Sequence, residues 1–404
     1  MSAPLAGVKV IDLTRYLAGP MSAMMLGDLG ADVLKIEPLP GGDAARQSGP
    51  FAGTESTYYM ASNRNKRSVA IDLRSAEGKK VLLRLIDSAD VFIENFRPGT
   101  AETMGLGADV LLARNPRLVY VSISGFGHTD VGKNLPGFDQ TVQAMSGLMS
   151  LTGTEETGPL RTGIAIADAS TGVFAAMGIL AALVERVRTG RGCVVHASLM
   201  QSMLAMINYQ AQSALSLGLI PERVGNDHPI MFPQGTFKAG SGAVTIACGN
   251  EKMWRLLCDA LGLRDLAEDP RYADNAHRMA NRRELRSVIE TALAHRSPEE
   301  WIEIINAAGV PCGPVLNLRE ALDHPTTRAL GIVQSVDHPQ LGSIEILGKA
   351  ITVGDDPRSI ELPPPLLGEH TSQVLAEYGF DDDVIAQLLA AGVIADAPEE
   401  GAAP

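Results

Sequence analysis

Along the N-terminal half of the chain, short apolar runs alternate with longer stretches whose apolar positions recur at helical spacing. Residues 8–13, 32–37, 68–73, 90–95 and 118–124 read as buried strands. Gly19-Pro20 opens a helix after the first of them, because proline is tolerated in the first turn. That helix ends at Gly30, and residues 76–87 form another. Apolar strands alternating with helices predict an α/β fold with a parallel sheet covered on both faces, a large Rossmann-like domain. Ligands in such sheets bind at the carboxyl ends of the strands. The segments to search are therefore 14–20, 37–46, Arg74, 95–99 and 125–139. The first strand–helix turn lacks the GxGxxG pattern, which argues against the usual dinucleotide site.

The pattern then changes. An apolar helical run over 173–184 stops at Thr189-Gly190, where glycine serves as the C-terminal cap. A strand at 194–199 precedes one long helix reaching about Leu217. Pro221 and the proline-containing stretch 225–233 mark a linker at 218–234. Residues 235–325 carry a strand at 243–247 and amphipathic helices near 251–262, 282–295 and 298–308, the pattern of a smaller α+β domain. Strands return at 332–336 and 343–347, and a last helix falls in the 380s. The expected organisation is a large domain from 1–217 completed by 326–395, the smaller domain inserted between, and a disordered tail at 396–404.

Composition narrows the partners. A net charge of −13 over 404 residues opposes generic binding to nucleic acid or anionic membrane. Any anionic ligand must be met by a local basic cluster. The four cysteines show no metal-binding or disulfide spacing, and the first residues show no basic segment followed by an apolar one, so a reducing cytoplasm is expected. No apolar run approaches the length of a membrane span; 173–184 reads as a core helix. No cluster suggests a metal site.

Asp168 lies between a small-residue approach, Gly163-Ile164-Ala165-Ile166-Ala167, and the strongly helical run. An aspartate there belongs near the helix N-terminus, where exposed N–H groups and the dipole favour the ionised carboxylate. The simplest role is helix capping. A lightly solvated, sterically open carboxylate also suits nucleophilic catalysis.

Several longer motifs carry a resemblance: residues 4–15 (Pro-Leu-Ala-Gly-Val-Lys-Val-Ile-Asp-Leu-Thr-Arg), Ala18-Gly19-Pro20, residues 29–37, Asn63-Arg64-Asn65-Lys66-Arg67-Ser68, Glu94-Asn95-Phe96-Arg97-Pro98-Gly99, Ser124-Gly125-Phe126-Gly127, Thr189-Gly190-Arg191-Gly192, residues 309–315 and Leu367-Gly368-Glu369-His370-Thr371. In this order they resemble the class III, CaiB/BaiF-type CoA-transferases. Residues 50–59 are similar to the branch that uses glutarate and related dicarboxylates. The resemblance implies a Rossmann-like domain built from both chain ends, an inserted small domain and an interlocked homodimer. It places the catalytic aspartate at Asp168 and makes acyl-CoA and a small carboxylic acid the substrates, with no permanently bound cofactor.

By family position, Leu17, Ala18, Ile71, Asp72, Leu73, Arg74, Asn95 and Phe96 line the CoA site, with Arg97 beside them. Members that carry glutamine at Leu17, or arginine at Pro38 and Thr103, use those side chains; here Arg97 is expected to compensate. Arg64, Lys66 and Arg67 are either phosphate ligands or a solvated basic loop. Tyr58 and Asp139 are candidate pocket residues, and Arg15 and Arg46 are candidates to hold a distal carboxylate. Gly240-Ser241-Gly242 reads as a hairpin turn. His128, His228 and His370 read as structural. The α-methylacyl-CoA racemases also resemble this chain, but pair their aspartate with a histidine to move an α-proton. Phe138 occupies that place, and phenylalanine carries no proton. A non-catalytic acyl-CoA-binding protein would have no need of a nucleophile at Asp168.

Overall fold

The computed structural model describes residues 3–354 and 359–398, so the tail expected over 396–404 lies outside the described residues from 399 onward. Six parallel strands, β1 (Lys9–Asp12), β2 (Asp32–Pro38), β3 (Arg67–Ile71), β4 (Val91–Glu94), β5 (Val119–Ser124) and β6 (Val194–Ser198), form one sheet in the order β6-β5-β4-β1-β2-β3. The short strand Ile394–Ala395 closes the β3 edge in antiparallel register. The strands are apolar because both faces are covered: Val10, Ile11, Leu34, Val69, Ile71, Phe92, Ile93, Val119 and Val121 have no solvent exposure. Each such side chain contributes roughly 1.5–3 kcal/mol. Strand order reverses between β1 and β4, which opens a crevice at their carboxyl ends.

Beneath that crevice sits a buried ionic cluster. Asp12 accepts from Lys66 Nζ at 2.9 Å and lies 3.9 Å from Lys35 Nζ, and Lys35 reaches Asp43 at 2.9 Å. Glu37 receives Arg46 through two hydrogen bonds of 2.7 Å, while Tyr59 lies under the guanidinium. Arg64 is paired with Asp28, and Arg67 with Asp32 and Glu377. The stretch Arg64–Arg67 is therefore neither a phosphate cradle nor a solvated loop: its cations are spent inside the fold. Arg46 is likewise spent on Glu37 and the Pro365 carbonyl, which removes it as a carboxylate anchor.

The helix Ile166–Thr189, 24 residues long, packs beside the helix Ala18–Asp28. A Cβ at Gly172 would come within 2.9 Å of the Ala18 carbonyl oxygen, so only glycine permits this approach. In length and composition the helix meets the measure of a membrane span, which the sequence pattern did not credit it with, yet half of its most apolar window is buried. Its outer face exposes Val173, Met177 and Val184.

The chain forms two compact units, one of Met1–Ser146, Thr162–Asn208 and Pro325–Pro404, the other of Gly147–Arg161 and Tyr209–His324. The long helix expected to reach Leu217 is two, Leu199–Ile207 and Tyr209–Leu217, parted at Asn208, whose φ is 44°. The second unit has a three-stranded antiparallel sheet (Gln234–Ala239, Gly242–Ala247, Cys312–Pro314) over a core of Phe237, Ile246, Trp254, Leu257, Ile289, Trp301 and Ile305. Gly240-Ser241-Gly242 is the tight turn joining its first two strands, with Gly240 at φ 48°.

Candidate active site

A cavity of about 370 Å³ occupies the crevice where strand order reverses. Arg15, Tyr16, Leu17 and Ala18 enter it from the end of β1, Asn95, Phe96, Arg97 and Pro98 from β4, and Ser124 and Gly125 from β5. Tyr58, Gly137, Phe138, Leu199 and Asp168 complete the wall. Gly125 and Gly137 meet backbone to backbone: a Cβ on either would lie 2.5 Å from the other's Cα. The loop after β5 can therefore fold over the site only with glycine at both positions. Two larger hollows of about 740 and 730 Å³ lie in the second unit and contain neither Asp168 nor any residue expected to meet CoA.

Asp168 is the third residue of its helix, not the cap. The N-cap is Ala165, which offers no side chain. The capping role falls to Asp139, whose Oδ1 accepts from the Ala167 N–H at 2.8 Å and the Asp168 N–H at 3.4 Å. Gln143 locks this arrangement: its amide donates to Asp139 Oδ2 at 2.6 Å and its Oε1 accepts from the Thr162 N–H at 3.0 Å. Freed from capping, the Asp168 carboxylate accepts no hydrogen bond from the described residues, so its lone pairs face the cavity unengaged.

The expected electrostatics are reversed. Burial, with the Asp139 charge adding to it, lifts the Asp168 pKa from 3.8 to about 7, against the pull of the helix dipole. A carboxylate poised near neutrality is a stronger nucleophile than a free one, at the cost of being partly protonated. Burial and the Asp168 charge push the Tyr58 phenol up to about 12, so it stays a proton donor. A role for the ionised Asp168 carboxylate as nucleophile predicts that kcat/KM rises with pH through about 7. Asp139→Asn keeps an oxygen for the Ala167 N–H but removes the charge, so the midpoint is expected to move down. A pH–rate profile of both proteins checks this; an unmoved midpoint would refute the Asp139 contribution.

Arg15 and Arg97 bring positive charge to the cavity, and neither has a carboxylate partner among the described residues. Arg15 is held at its backbone by Asn95, which accepts from its N–H at 2.8 Å and donates to its carbonyl at 2.7 Å, while its guanidinium sits 5.3 Å over the Phe96 ring. The segment Ile71–Arg74 stands apart from this cavity. Ile71 and Leu73 are buried in the sheet core, and Asp72 pairs at 2.9 Å with the exposed Arg74. His128 shares a hydrogen bond with Ser122 at 3.0 Å and its ring lies tilted against His196, with centroids 4.5 Å apart; His228 stacks on Tyr209 in the second unit; the His370 backbone N–H donates to the Ser68 carbonyl. The capping role of Asp139 and the brace from Gln143 were missed in the sequence, where the only signal was an Asp–Gln pair four residues apart at a helix start.

A reversed-order α/β sheet with an unengaged carboxylate, and two arginines that meet no carboxylate among the described residues, at its switch point defines a Rossmann-like fold with a site suited to anionic ligands. The model of CoA-transferase family III matches residues 5–371, and the chain belongs to that family of CoA-transferases. It is 37% identical over 393 residues to the succinyl-CoA:glutarate CoA-transferase of Homo sapiens, covering 97% of this chain and 90% of that one. The succinate–glutarate CoA-transferase of Agrobacterium fabrum is 37% identical over 381 residues, 93% of this chain and 96% of its own. The crystal structure of a CaiB/BaiF family protein from Brucella suis matches with a TM-score of 0.83 at 36% identity, covering 94% of this chain and all of that one (100%).

Proposed function

We propose that this enzyme moves CoA from an acyl-CoA donor, succinyl-CoA foremost, to a dicarboxylic acid through covalent intermediates on Asp168. The observation that carries the reading is the unengaged Asp168 carboxylate sharing one cavity with two unpaired arginines. Asp168 attacks the thioester carbonyl, forming an aspartyl–acyl anhydride and releasing CoA thiolate. The thiolate attacks the aspartyl carbonyl, giving an aspartyl-CoA thioester and the donor acid. The acceptor carboxylate attacks that thioester, and the returning thiolate takes the new acyl group and frees Asp168. Dividing the transfer in this way avoids a free activated acid. Tyr58, kept protonated, and backbone N–H groups are the donors suited to the tetrahedral oxyanions.

Arg97 and Arg74 suit the CoA phosphates. Leu17, Ala18, Asn95 and Phe96 line the thioester end, and the Ile71–Leu73 backbone the nucleotide end. Arg15 remains as the cation for a distal carboxylate once Arg46 is set aside. A charged hydrogen bond is worth about 1.5–3 kcal/mol, so Arg15→Gln is expected to raise KM for a dicarboxylate acceptor by roughly 10–100-fold. KM for a monocarboxylate should hold steady. Steady-state kinetics with glutarate and butyrate decides it, and an equal rise for both would exclude Arg15 from this role.

The working form proposed is an interlocked cytoplasmic homodimer, for which the exposed Val173, Met177 and Val184 offer an apolar face. A monomer in sedimentation at micromolar concentration would contradict it. The activity itself is tested by incubating the enzyme with succinyl-CoA and a panel of dicarboxylates and following the new acyl-CoA by chromatography. Deuterium exchange at the α-carbon of a branched acyl-CoA, with no transfer to any acid, would replace this reading by the racemase one.

A further inference from the structure

Tyr16 is one of three non-glycine residues among those described with a left-handed backbone, at φ 66°. Such a conformation is strained for a residue with a Cβ and persists only where its surroundings impose it. What imposes it here is Asp43, itself 1% exposed and far from Tyr16 in sequence. Asp43 Oδ1 accepts from the Tyr16 N–H at 3.1 Å and from the Ala45 N–H at 3.0 Å, while Oδ2 is held at 2.9 Å by Lys35. Lys35 also donates to the Thr14 carbonyl at 2.5 Å, so the ionic cluster grips the loop on both sides of Arg15.

This turn throws the Tyr16 ring outward against Phe138, edge to face, with centroids 6.3 Å apart and planes at 79°. Both rings line the cavity that holds Asp168, yet Tyr16 is 42% and Phe138 63% exposed, which sets the pair at its rim. Leu17 and Leu135 line the same cavity, making an apolar collar. Two large exposed aromatics, one of them in a strained turn fixed by a buried carboxylate, have no packing purpose in the unit itself. A mixed anhydride, however, is lost whenever water reaches it: water adds to the acyl carbonyl, the acid departs, and Asp168 is regenerated. The net reaction is then acyl-CoA plus water giving acid plus free CoA thiol.

We propose that Tyr16 and Phe138 form a water gate over Asp168, and that Asp43 is the positioning residue that sets the Tyr16 half of it. The proposal rests on the covalent reading above. It gives a further purpose to a buried anion that already caps Ala45 and pairs with Lys35, since the same carboxylate also holds the backbone N–H of a rim residue.

The test is the partition between hydrolysis and transfer, measured with succinyl-CoA and glutarate as free CoA thiol released against glutaryl-CoA formed. Tyr16→Ala and Phe138→Ala are each expected to raise the hydrolysis-to-transfer ratio on the order of tenfold, and Tyr16→Phe to leave it near the wild-type value, because the ring does the shielding. Asp43→Ala, which removes the oxygen that the Tyr16 N–H meets, should raise the ratio in the same direction, and should add little in a Tyr16→Ala background, because the two act through one ring. If Asp43→Ala does not fold, the exposed-ring variants still decide. Continued transfer with an unmoved ratio in both alanine variants would overturn the gate, as would Tyr16→Phe behaving like Tyr16→Ala. Absence of transfer by the wild-type enzyme to any acid would instead sink the underlying transferase reading.

Discussion

Replacement of Asp168 by alanine or asparagine is expected to lower the rate of CoA transfer on the order of 10³-fold or more, the loss predicted when a proposed covalent nucleophile is removed. The fold should not suffer. The Asp168 carboxylate holds no hydrogen bond among the described residues, and the cap of its helix is supplied by Asp139. Stability should in fact improve at neutral pH. The folded state lifts the Asp168 pKa from 3.8 to about 7, so it binds the proton more tightly than the unfolded chain does. The protonated group is accommodated below about pH 4, and that advantage is lost as pH rises through about 7. Asp168→Asn is neutral throughout, so its melting temperature should exceed that of wild type above pH 7, with the gap closing toward pH 4. An inactive variant that melts higher at neutral pH and above, but not near pH 4, would place the carboxylate's burial at the service of chemistry, a familiar trade of stability for function. A melting difference independent of pH would refute the raised pKa.

Asp12→Ala is the most damaging substitution expected outside the cavity. Asp12 has no exposure, and it faces Lys66 at 2.9 Å and Lys35 at 3.9 Å while accepting from Thr14 Oγ1 at 2.5 Å. Burial alone would raise its pKa; the two lysine charges outweigh that and draw it down. Removing it takes the carboxylate from the buried Lys66 ammonium and leaves Lys35 with Asp43 alone, and breaking a buried pair in this manner costs about 3–5 kcal/mol. Burial lowers the Lys66 pKa to about 8 even with Asp12 present, so part of the loss should be recovered at higher pH, where Lys66 sheds its proton. Urea unfolding of Asp12→Ala at pH 7 and pH 9 measures both effects. A change within experimental error would mean the cluster is not held together as described. Lys80→Ala, which breaks an exposed pair with Glu77, is the control and should leave the midpoint where it was.

The sequence made β1 to β5 legible because strands covered on both faces must be apolar throughout, and no other arrangement of such runs alternates with helices. Asp168 was legible for a related reason: a single carboxylate in a small-residue approach to a long apolar helix stands out. The charged residues were misjudged because pairing is a tertiary property. Arg64, Lys66 and Arg67 look alike in a row, and nothing local says that each meets an acid from a distant segment, Asp28, Asp12 and Asp32. The same limit hid Asp139, which caps a helix 28 residues away. The break at Asn208 is concealed by a run of good helix formers on either side. The closing strand Ile394–Ala395 is too short to show alternation, and only its pairing with Ile71 and Ala70 defines it.

The direct measurement of the central claim is mass spectrometry of the enzyme mixed with succinyl-CoA and quenched with hydroxylamine. Attack of hydroxylamine on an aspartyl anhydride or aspartyl thioester leaves a hydroxamate on the side chain. The account predicts that modification on the peptide carrying Asp168, dependent on the acyl-CoA donor and absent from Asp168→Ala. Full turnover to the new acyl-CoA with the Asp168 peptide unmodified, or with Asp168→Ala still active, would contradict it.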